Sequence, residues 1–327
     1  MDPHLFLADL ERKPAVLRDL AAEMVRVDLW AGVDEDVDRV LFLGMGSSTF
    51  AAGVAAARLR AAGLDAVADL ASSDLLPPPD SRTLVVAISA SGSSRETLEA
   101  AHRYLGRSRV VALTNVEDAP LARGTDLVVP MLAGPERGGV ACRTFQHTVA
   151  LLMLLVDRLA GGAGAASVAT AVNAAADASD DLLRRRPTWL PGVTDILASP
   201  HLCAAVAPAR RLSSAQQAAL MLREGPRRPA VACETGEWSH VDVYLTKTTD
   251  YRMLLFPGST WEDELLKWTA ERGARIVAVG GDVAQAEAVV RYPGDHDDDV
   301  RLLTEVLVAE LVAASLWQSG PTEGGPL

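Results

Sequence analysis

Apolar residues recur along this chain in alternating helix-like and strand-like stretches. Leu5, Leu7, Leu10, Val16, Leu17, Leu20 and Met24 fall at helical spacing across 4–26, with Lys13-Pro14 as a break. The run 37–43 reads as a strand ending in Gly44-Met45-Gly46-Ser47-Ser48, and an alanine-rich helix is predicted over 49–62. Further strands are predicted at 65–70, 82–89, 109–114 and 126–129, with a loop at 72–79 and helices near 94–105 and 141–160. Gly161 opens a loosened, glycine-rich stretch, and a connecting helix over 165–184 ends before Arg186-Pro187. The alternation then resumes, with strands at 193–198, 229–233, 252–256 and 275–280 and helices near 208–223, 237–245, 261–272 and 299–318.

Continuous β-branched runs, in place of strict alternation, mark strands covered on both faces. Strands separated by helices imply parallel pairing through right-handed crossovers. The expected fold class is therefore α/β, with two tandem doubly wound parallel-sheet domains. Residues 1–160 are read as the first domain with its N-terminal helix, 161–187 as a helical linker and 188–327 as the second domain.

Composition narrows the class. At 327 residues and 49% hydrophobic content the chain has core material for two domains, and with only 5% aromatics the packing falls to Ala, Val and Leu. No apolar run reaches the roughly 18–20 residues of a spanning helix, and the N-terminus lacks a signal-peptide layout. A soluble cytoplasmic protein with no membrane partner is expected. The net charge of −12 argues against nucleic acid. It leaves room for a small anion, because backbone N–H groups bind phosphate without lysine. Cys142, Cys203 and Cys233 form no metal pair and no even disulfide framework, so reduced thiols are expected.

Two hydroxyl-rich turns stand where strands of the first half stop: Gly46-Ser47-Ser48-Thr49, and Ser89-Ala90-Ser91-Gly92-Ser93-Ser94. Both open a helix. Ligands of open parallel sheets sit beyond the carboxyl ends of the strands. A helix N-terminus there offers free N–H donors and partial positive charge. Serines also cap helices with no ligand involved, but two such turns on one sheet edge favour a phosphate monoester. Neither turn is a Walker A motif or a GxGxxG fingerprint.

These turns, with Gly139-Val140-Ala141-Cys142-Arg143-Thr144, resemble the sugar isomerase (SIS) family. The likeness is to its double-domain group, which includes the isomerase half of glucosamine-6-phosphate synthase and related sugar-phosphate deaminases and deglycases. The resemblance implies flavodoxin-like SIS domains. It implies phosphate contacts from Ser47, Ser48, Ser89, Ser91 and Ser94, and backbone contacts to the sugar from Val140 and Ala141. It also gives meaning to Met221-Leu222-Arg223-Glu224 and Glu237-Trp238-Ser239-His240. By resemblance Glu224 is the base that moves a proton between sugar carbons C1 and C2, and His240 assists ring opening. The family's histidine often reaches into a partner's site, so a homodimer with shared active sites is implied. No metal and no other cofactor is expected.

The chain departs from the family at Ala90, Ser93, Met221 and Val241-Asp242-Val243, and its tail Thr322–Leu327 carries no lysine. With Asp2 in place of a cysteine and no glutaminase half, an ammonia-from-glutamine synthase is not expected. The expected activity is aldose–ketose isomerisation of an amino-hexose 6-phosphate such as glucosamine 6-phosphate, or of a fructosamine 6-phosphate, with loss of the amine. The alternatives are a plain isomerase of a non-amino sugar phosphate and a non-catalytic sugar-phosphate sensor. Asp295-His296-Asp297-Asp298-Asp299 reads as acids at a helix start, not as a metal site. Cys142 and His147 read as packing residues, and Arg184-Arg185-Arg186 and Arg227-Arg228 as solvated loop charges.

Overall fold

Asp2 starts the first helix. Its carboxylate accepts hydrogen bonds from the N–H groups of His4 and Leu5 at 2.8 and 3.0 Å, and Pro3 follows at the first helical position. A computed structural model describes residues 1–33, 36–199 and 201–320. Along the chain it contains α1 (Pro3–Glu11), α2 (Lys13–Arg26), β1 (Arg39–Gly44), α3 (Ser47–Ala61), β2 (Asp65–Leu70), β3 (Thr83–Ile88), α4 (Arg95–His102), β4 (Arg109–Thr114), β5 (Leu127–Pro130) and α5 (Arg143–Leu159). There follow α6 (Ala165–Leu197), β6 (Leu202–Ala207), α7 (Leu212–Glu224), β7 (Ala230–Glu234), α8 (Thr235–Trp238), β8 (Tyr251–Leu255), α9 (Glu262–Glu271), β9 (Arg275–Val279), β10 (Ala288–Val290), α10 (Asp298–Thr304) and α11 (Val306–Ser319).

The strands form two parallel five-stranded sheets, ordered β2-β1-β3-β4-β5 and β10-β9-β8-β6-β7. Renumbered from its own first strand, the second order is the first read from the other side. Both halves thus share one flavodoxin-like topology. The α/β expectation holds: every residue of β3 is buried, as a strand covered on both faces must be. Register at the edge of the first sheet is pinned where Arg39 faces Asp65 and binds it at 2.6 Å.

The structure departs from the predicted elements at several places. The predicted strand 193–198 is the last part of α6, which runs for 33 residues through Pro187 and Pro191. Both prolines are exposed, so water can serve the carbonyls they leave unbonded, while Val193, Ile196 and Leu197 are buried at helical spacing. Arg184 and Arg185 are accordingly helical residues that pair with Asp181, not loop charges. Strand β6 and strand β10, the latter three residues long, escaped the sequence reading, and the predicted helix 237–245 is α8 followed by a 3₁₀ helix at Asp242–Lys247. The predicted helix 299–318 is two helices that meet at Glu305.

Contacts divide the chain into two compact units. One holds Lys13–Pro135 and Ala141–Asp177, with the first sheet. The other holds Met1–Arg12, Glu136–Val140 and the chain from Ala178 onward, with the second sheet. In the first-sheet unit α5 packs on α2 and α3, and Trp30 donates to the Leu151 carbonyl at 3.1 Å. In the second-sheet unit α11 packs on α1 and α7. There Arg211, fully buried, bonds Glu305 and the Pro257 carbonyl and lies 3.1 Å from Asp298. This ties the loops after β6 and β8 to the junction of the last two helices. Removing one member of a buried ion pair strands the other charge. Arg211→Met should therefore lower unfolding free energy by about 3–5 kcal/mol, read from urea denaturation of parent and variant.

Candidate functional site

The serine turns lie where the first sheet's topology places a crevice. Strands β1 and β3 are neighbours, and the chain leaves them toward opposite sides of the sheet. The loops at their carboxyl ends therefore flank the switch point. After β1 the backbone turns through Gly46 (φ +53°), and α3 begins at Ser47 with no side-chain cap on its first turn. Gly44 is a glycine because a Cβ there would come within 2.8 Å of the Ser48 Cβ. Ser47 and Ser48, expected in a loop, are thus the first residues of α3, half-buried at its open N-terminus. Beside them Thr49 Oγ1 is buried and has no hydrogen-bond partner. The sequence pointed to the hydroxyl run but not to Thr49 as the member left unsatisfied.

After β3, the N–H of Ser89 donates to Leu113 and that of Gly92 to Ser89, at 3.1 and 3.0 Å. Gly92 is left-handed (φ +62°), and a Cβ there would overlap Ala119. Ser91 Oγ accepts from Ser93 Oγ at 2.9 Å. Ser94 caps α4: its Oγ lies 3.5 Å from the N–H of Thr97 and donates to Glu96 at 3.0 Å. Ser89 is buried, Ser91 exposed and Ser94 half-buried. The capping role weighed from sequence is therefore present at Ser94. Ser91 presents its hydroxyl to solvent at the same edge.

The segment before α5 is held by α1 within the second-sheet unit. Asp9 accepts from the Gly138 N–H at 2.7 Å, and a Cβ on Gly138 would come within 2.5 Å of the Phe6 backbone. Val140 is buried and Ala141 half-buried, the former in the second-sheet unit and the latter in the first. Cys142 and His147 pack inside. His147 Nδ1 lies 2.8 Å from the Met131 carbonyl, and burial pushes its pKa down to about 4.

Glu224 and His240 both belong to the second-sheet unit, at opposite edges of its sheet. Glu224 ends α7, the helix that returns the chain to the start of β7, so it lies at the amino edge. His240 follows the carboxyl end of β7, with its N–H on the Glu237 carbonyl at 2.9 Å. A five-residue strand separates these edges by roughly 17 Å. Burial raises the pKa of Glu224, opposed by the neighbouring Arg223. The residue still presents exposed surface at the helix end, so the carboxylate is partly desolvated, not sealed. The turn carrying His240 is anchored by Trp238, fully buried, which donates to the Tyr251 hydroxyl at 2.8 Å, and by Glu234, which caps α8.

The equivalent switch point of the second sheet is filled by its own side chains. The Gly258 N–H, after β8, donates to Glu262 Oε2 at 2.8 Å. Arg210 holds the Gly258 carbonyl at 2.9 Å and pairs with Asp298. The Gly258 N–H, one donor an anion would use, is thus taken, while α7, like α3, starts with no side-chain cap. The acids of 295–299 serve as caps and partners: Asp297 accepts from the N–H groups of Asp299 and Val300, and Asp295 binds Arg291. Among the described residues no group of three or more His, Cys, Asp or Glu forms a cation site. The tail 322–327 lies outside the described residues.

Comparison with known proteins agrees with this fold. Residues 35–158 match the family model of the SIS domain. The glutamine–fructose-6-phosphate aminotransferase (isomerizing) of Acidithiobacillus ferridurans is 33% identical over 200 residues, 56% of this chain and 32% of that protein. The protein of the same name from Sulfurisphaera tokodaii is 26% identical over 322 residues, 94% of this chain and 51% of its own length. The chain thus spans between a third and a half of these curated relatives. The C-terminal domain of glucosamine-fructose-6-phosphate aminotransferase from Francisella tularensis superposes with a TM-score of 0.81 at 17% identity, covering 96% of each chain. Glucosamine-6-phosphate deaminase from Thermotoga maritima superposes at 0.73 and 18% identity, covering 96% of this chain and 94% of its own. The chain therefore carries a SIS domain in its first half and has the fold of phosphosugar isomerase-type SIS structures. It is homologous to these isomerizing aminotransferases. No helix among the described residues is long and apolar enough to cross a membrane.

Thr49 carries a test. A buried hydroxyl without a partner costs about 1–3 kcal/mol. Thr49→Val should raise the unliganded melting temperature and, if the hydroxyl serves a phosphate, weaken fructose 6-phosphate binding. Calorimetric scans with and without the sugar phosphate read both effects. An unchanged or lowered unliganded midpoint would contradict the assignment.

Proposed function

We propose that the protein is a double-SIS phosphosugar isomerase and deaminase acting on an amino-hexose 6-phosphate or a fructosamine 6-phosphate. The observation that carries this reading is the pair of serine turns flanking one switch point, each opening a helix. Ser47, Ser48, Ser89, Ser91 and Ser94 would hold the phosphate, with the N-termini of α3 and α4 supplying N–H donors. Val140 and Ala141 would meet the sugar through their backbone groups.

With glucosamine 6-phosphate, His240 takes the proton of the C1 hydroxyl as the ring opens and the ring oxygen is protonated. Glu224 then removes the C2 proton while the C1 carbonyl oxygen is protonated, giving an enolamine, and returns it at C1 as the nitrogen gives up a proton, leaving an imine at C2. Water hydrolyses that imine to fructose 6-phosphate and ammonia. With a fructosamine 6-phosphate the proton moves from C1 to C2, and hydrolysis releases glucose 6-phosphate and the amine. The scheme uses no metal and no cofactor. Partial desolvation of Glu224 supports it, because a base with a raised pKa holds a proton better near neutrality.

The placement of Glu224 and His240 on opposite edges of one sheet supports a homodimer in which they serve different sites. Each active site would then take Glu224 from one chain and His240 from another. Incubation with glucosamine 6-phosphate should yield equal ammonia and fructose 6-phosphate. Isomerisation of plain sugar phosphates alone would favour the non-amino isomerase, and thermal stabilisation without any product would favour a sensor.

Glu224→Gln should abolish turnover, while sugar-phosphate affinity stays within a few-fold. Activity equal to that of the parent would remove it as the base. A base must be deprotonated to act, and its folded pKa lies above the ordinary 4.5. The acid limb of kcat/KM should accordingly fall above pH 4.5 as pH decreases. Mixing inactive Glu224→Gln and His240→Asn chains under exchange should restore activity through mixed dimers. Mixtures that remain inactive after proven exchange would refute shared sites.

A further inference from the structure

On the first-sheet unit a groove of about 380 Å³ runs between α4 and the single helical turn Pro120–Ala122. Its floor is apolar. Leu121 is buried in the core of that unit, and Leu98 and Leu105, half-buried, pack against the same cluster. Gly124 (φ +79°) brings the chain back over Leu105: a Cβ on the glycine would lie 3.6 Å from Leu105 Cδ1. Two basic side chains, His102 and Arg123, stand exposed along the groove. Neither has a hydrogen-bond or ion-pair partner for its side chain among the described residues. The acid that lines the groove, Glu99, is engaged by Arg95 at 2.8 Å. In a chain of net charge −12, an apolar floor edged by two unpaired basic groups is complementary to an anion with an apolar body.

Both walls of the groove end on the second serine turn. Helix α4 starts at its cap Ser94, and on the other side the Leu121 N–H donates to the Gly92 carbonyl at 2.9 Å. Gly92 lies so close to that wall that a Cβ on it would sit 2.3 Å from Ala119 Cβ and 3.7 Å from Leu121 Cβ. A body held in the groove therefore touches the two segments to which the turn carrying Ser89, Ser91 and Ser94 is attached. We infer that the groove is an effector site for a small carboxylic acid with an apolar body, coupled to phosphate binding at the serine turn. A guanidinium matches a carboxylate in paired hydrogen bonds, and the leucines gain by taking hydrocarbon out of water. The volume falls in the range of roughly 300–1,000 Å³ typical of small-molecule sites. A ligand acts at a distance only through contacts that differ between two states, and here those contacts span the gap between the walls. Filling the gap fixes both ends of the turn, so less ordering remains when a phosphate arrives. The coupling rests on the proposed phosphate reading; the binding of the acid does not.

The experiment titrates the full chain calorimetrically with octanoate and with octylamine, a tail of equal length and opposite charge. The parent should bind octanoate tighter by roughly fivefold or more. Arg123→Gln and His102→Gln, both at exposed positions, should each lose most of that preference. Fructose 6-phosphate is then titrated with octanoate saturating the groove. Its Kd should fall by roughly fivefold or more, and the Kd of octanoate should fall by the same factor when the sugar phosphate is saturating. Equal binding of the two amphiphiles by the parent, or a preference that survives both substitutions, overturns the site. Octanoate that binds yet leaves the Kd of fructose 6-phosphate unchanged or raised overturns the effector role. A sedimentation coefficient that falls when octanoate is added also overturns it, because the groove would then be a contact between copies of the chain. If the parent does not bind fructose 6-phosphate at all, the phosphate reading fails, while the octanoate titrations still decide the groove.

Discussion

Parallel pairing is the constraint on which the rest depends. Two parallel strands cannot be joined by a tight turn, so each connection carries the chain back along a helix to the edge where it began. Residues just after a strand gather at one edge of the sheet, and residues at the end of a connecting helix gather at the other. This sorts the chemistry before any side chain is considered. The hydroxyls after β1 and β3 and the imidazole after β7 lie at carboxyl edges, whereas Glu224, ending α7, is sent to an amino edge.

The two sheets show how one topology diverges through loop residues. In the first, small residues leave the switch point open: Gly44 admits Ser48, Gly92 makes a turn no other residue fits, and α3 starts uncapped. In the second, the same positions hold long charged side chains. Glu262 occupies the N–H of Gly258, and Arg210 and Arg211 lace the loops to Asp298 and Glu305. A carboxylate built into the chain thus occupies a donor after β8, while α7, like α3, starts with no side-chain cap.

Much of this was legible in the sequence because the carriers were local. Residues 40–43 and 84–88 are unbroken apolar runs, and a serine turn ends each abruptly, so both fold class and crevice could be read. The end of α6 could not: Pro187 is an ordinary stop signal, and only burial of Val193, Ile196 and Leu197 on one face shows that packing overrode it. Strand β10 is too short to leave a pattern. The edge separation of Glu224 and His240 was implicit in the element order, but spacing alone suggested neighbours.

The thiols add a last consequence. Among the described residues Cys142, Cys203 and Cys233 form no disulfide, all three are buried, and burial pushes Cys203 and Cys233 up to about 12. A thiolate is the reactive species, so in the closed protein these sulfurs are nearly inert to alkylating reagents. Modification must wait for the backbone around them to open. Because Cys142 belongs to the first-sheet unit and the other two to the second, the chain carries its own clocks for the separate breathing of its two halves.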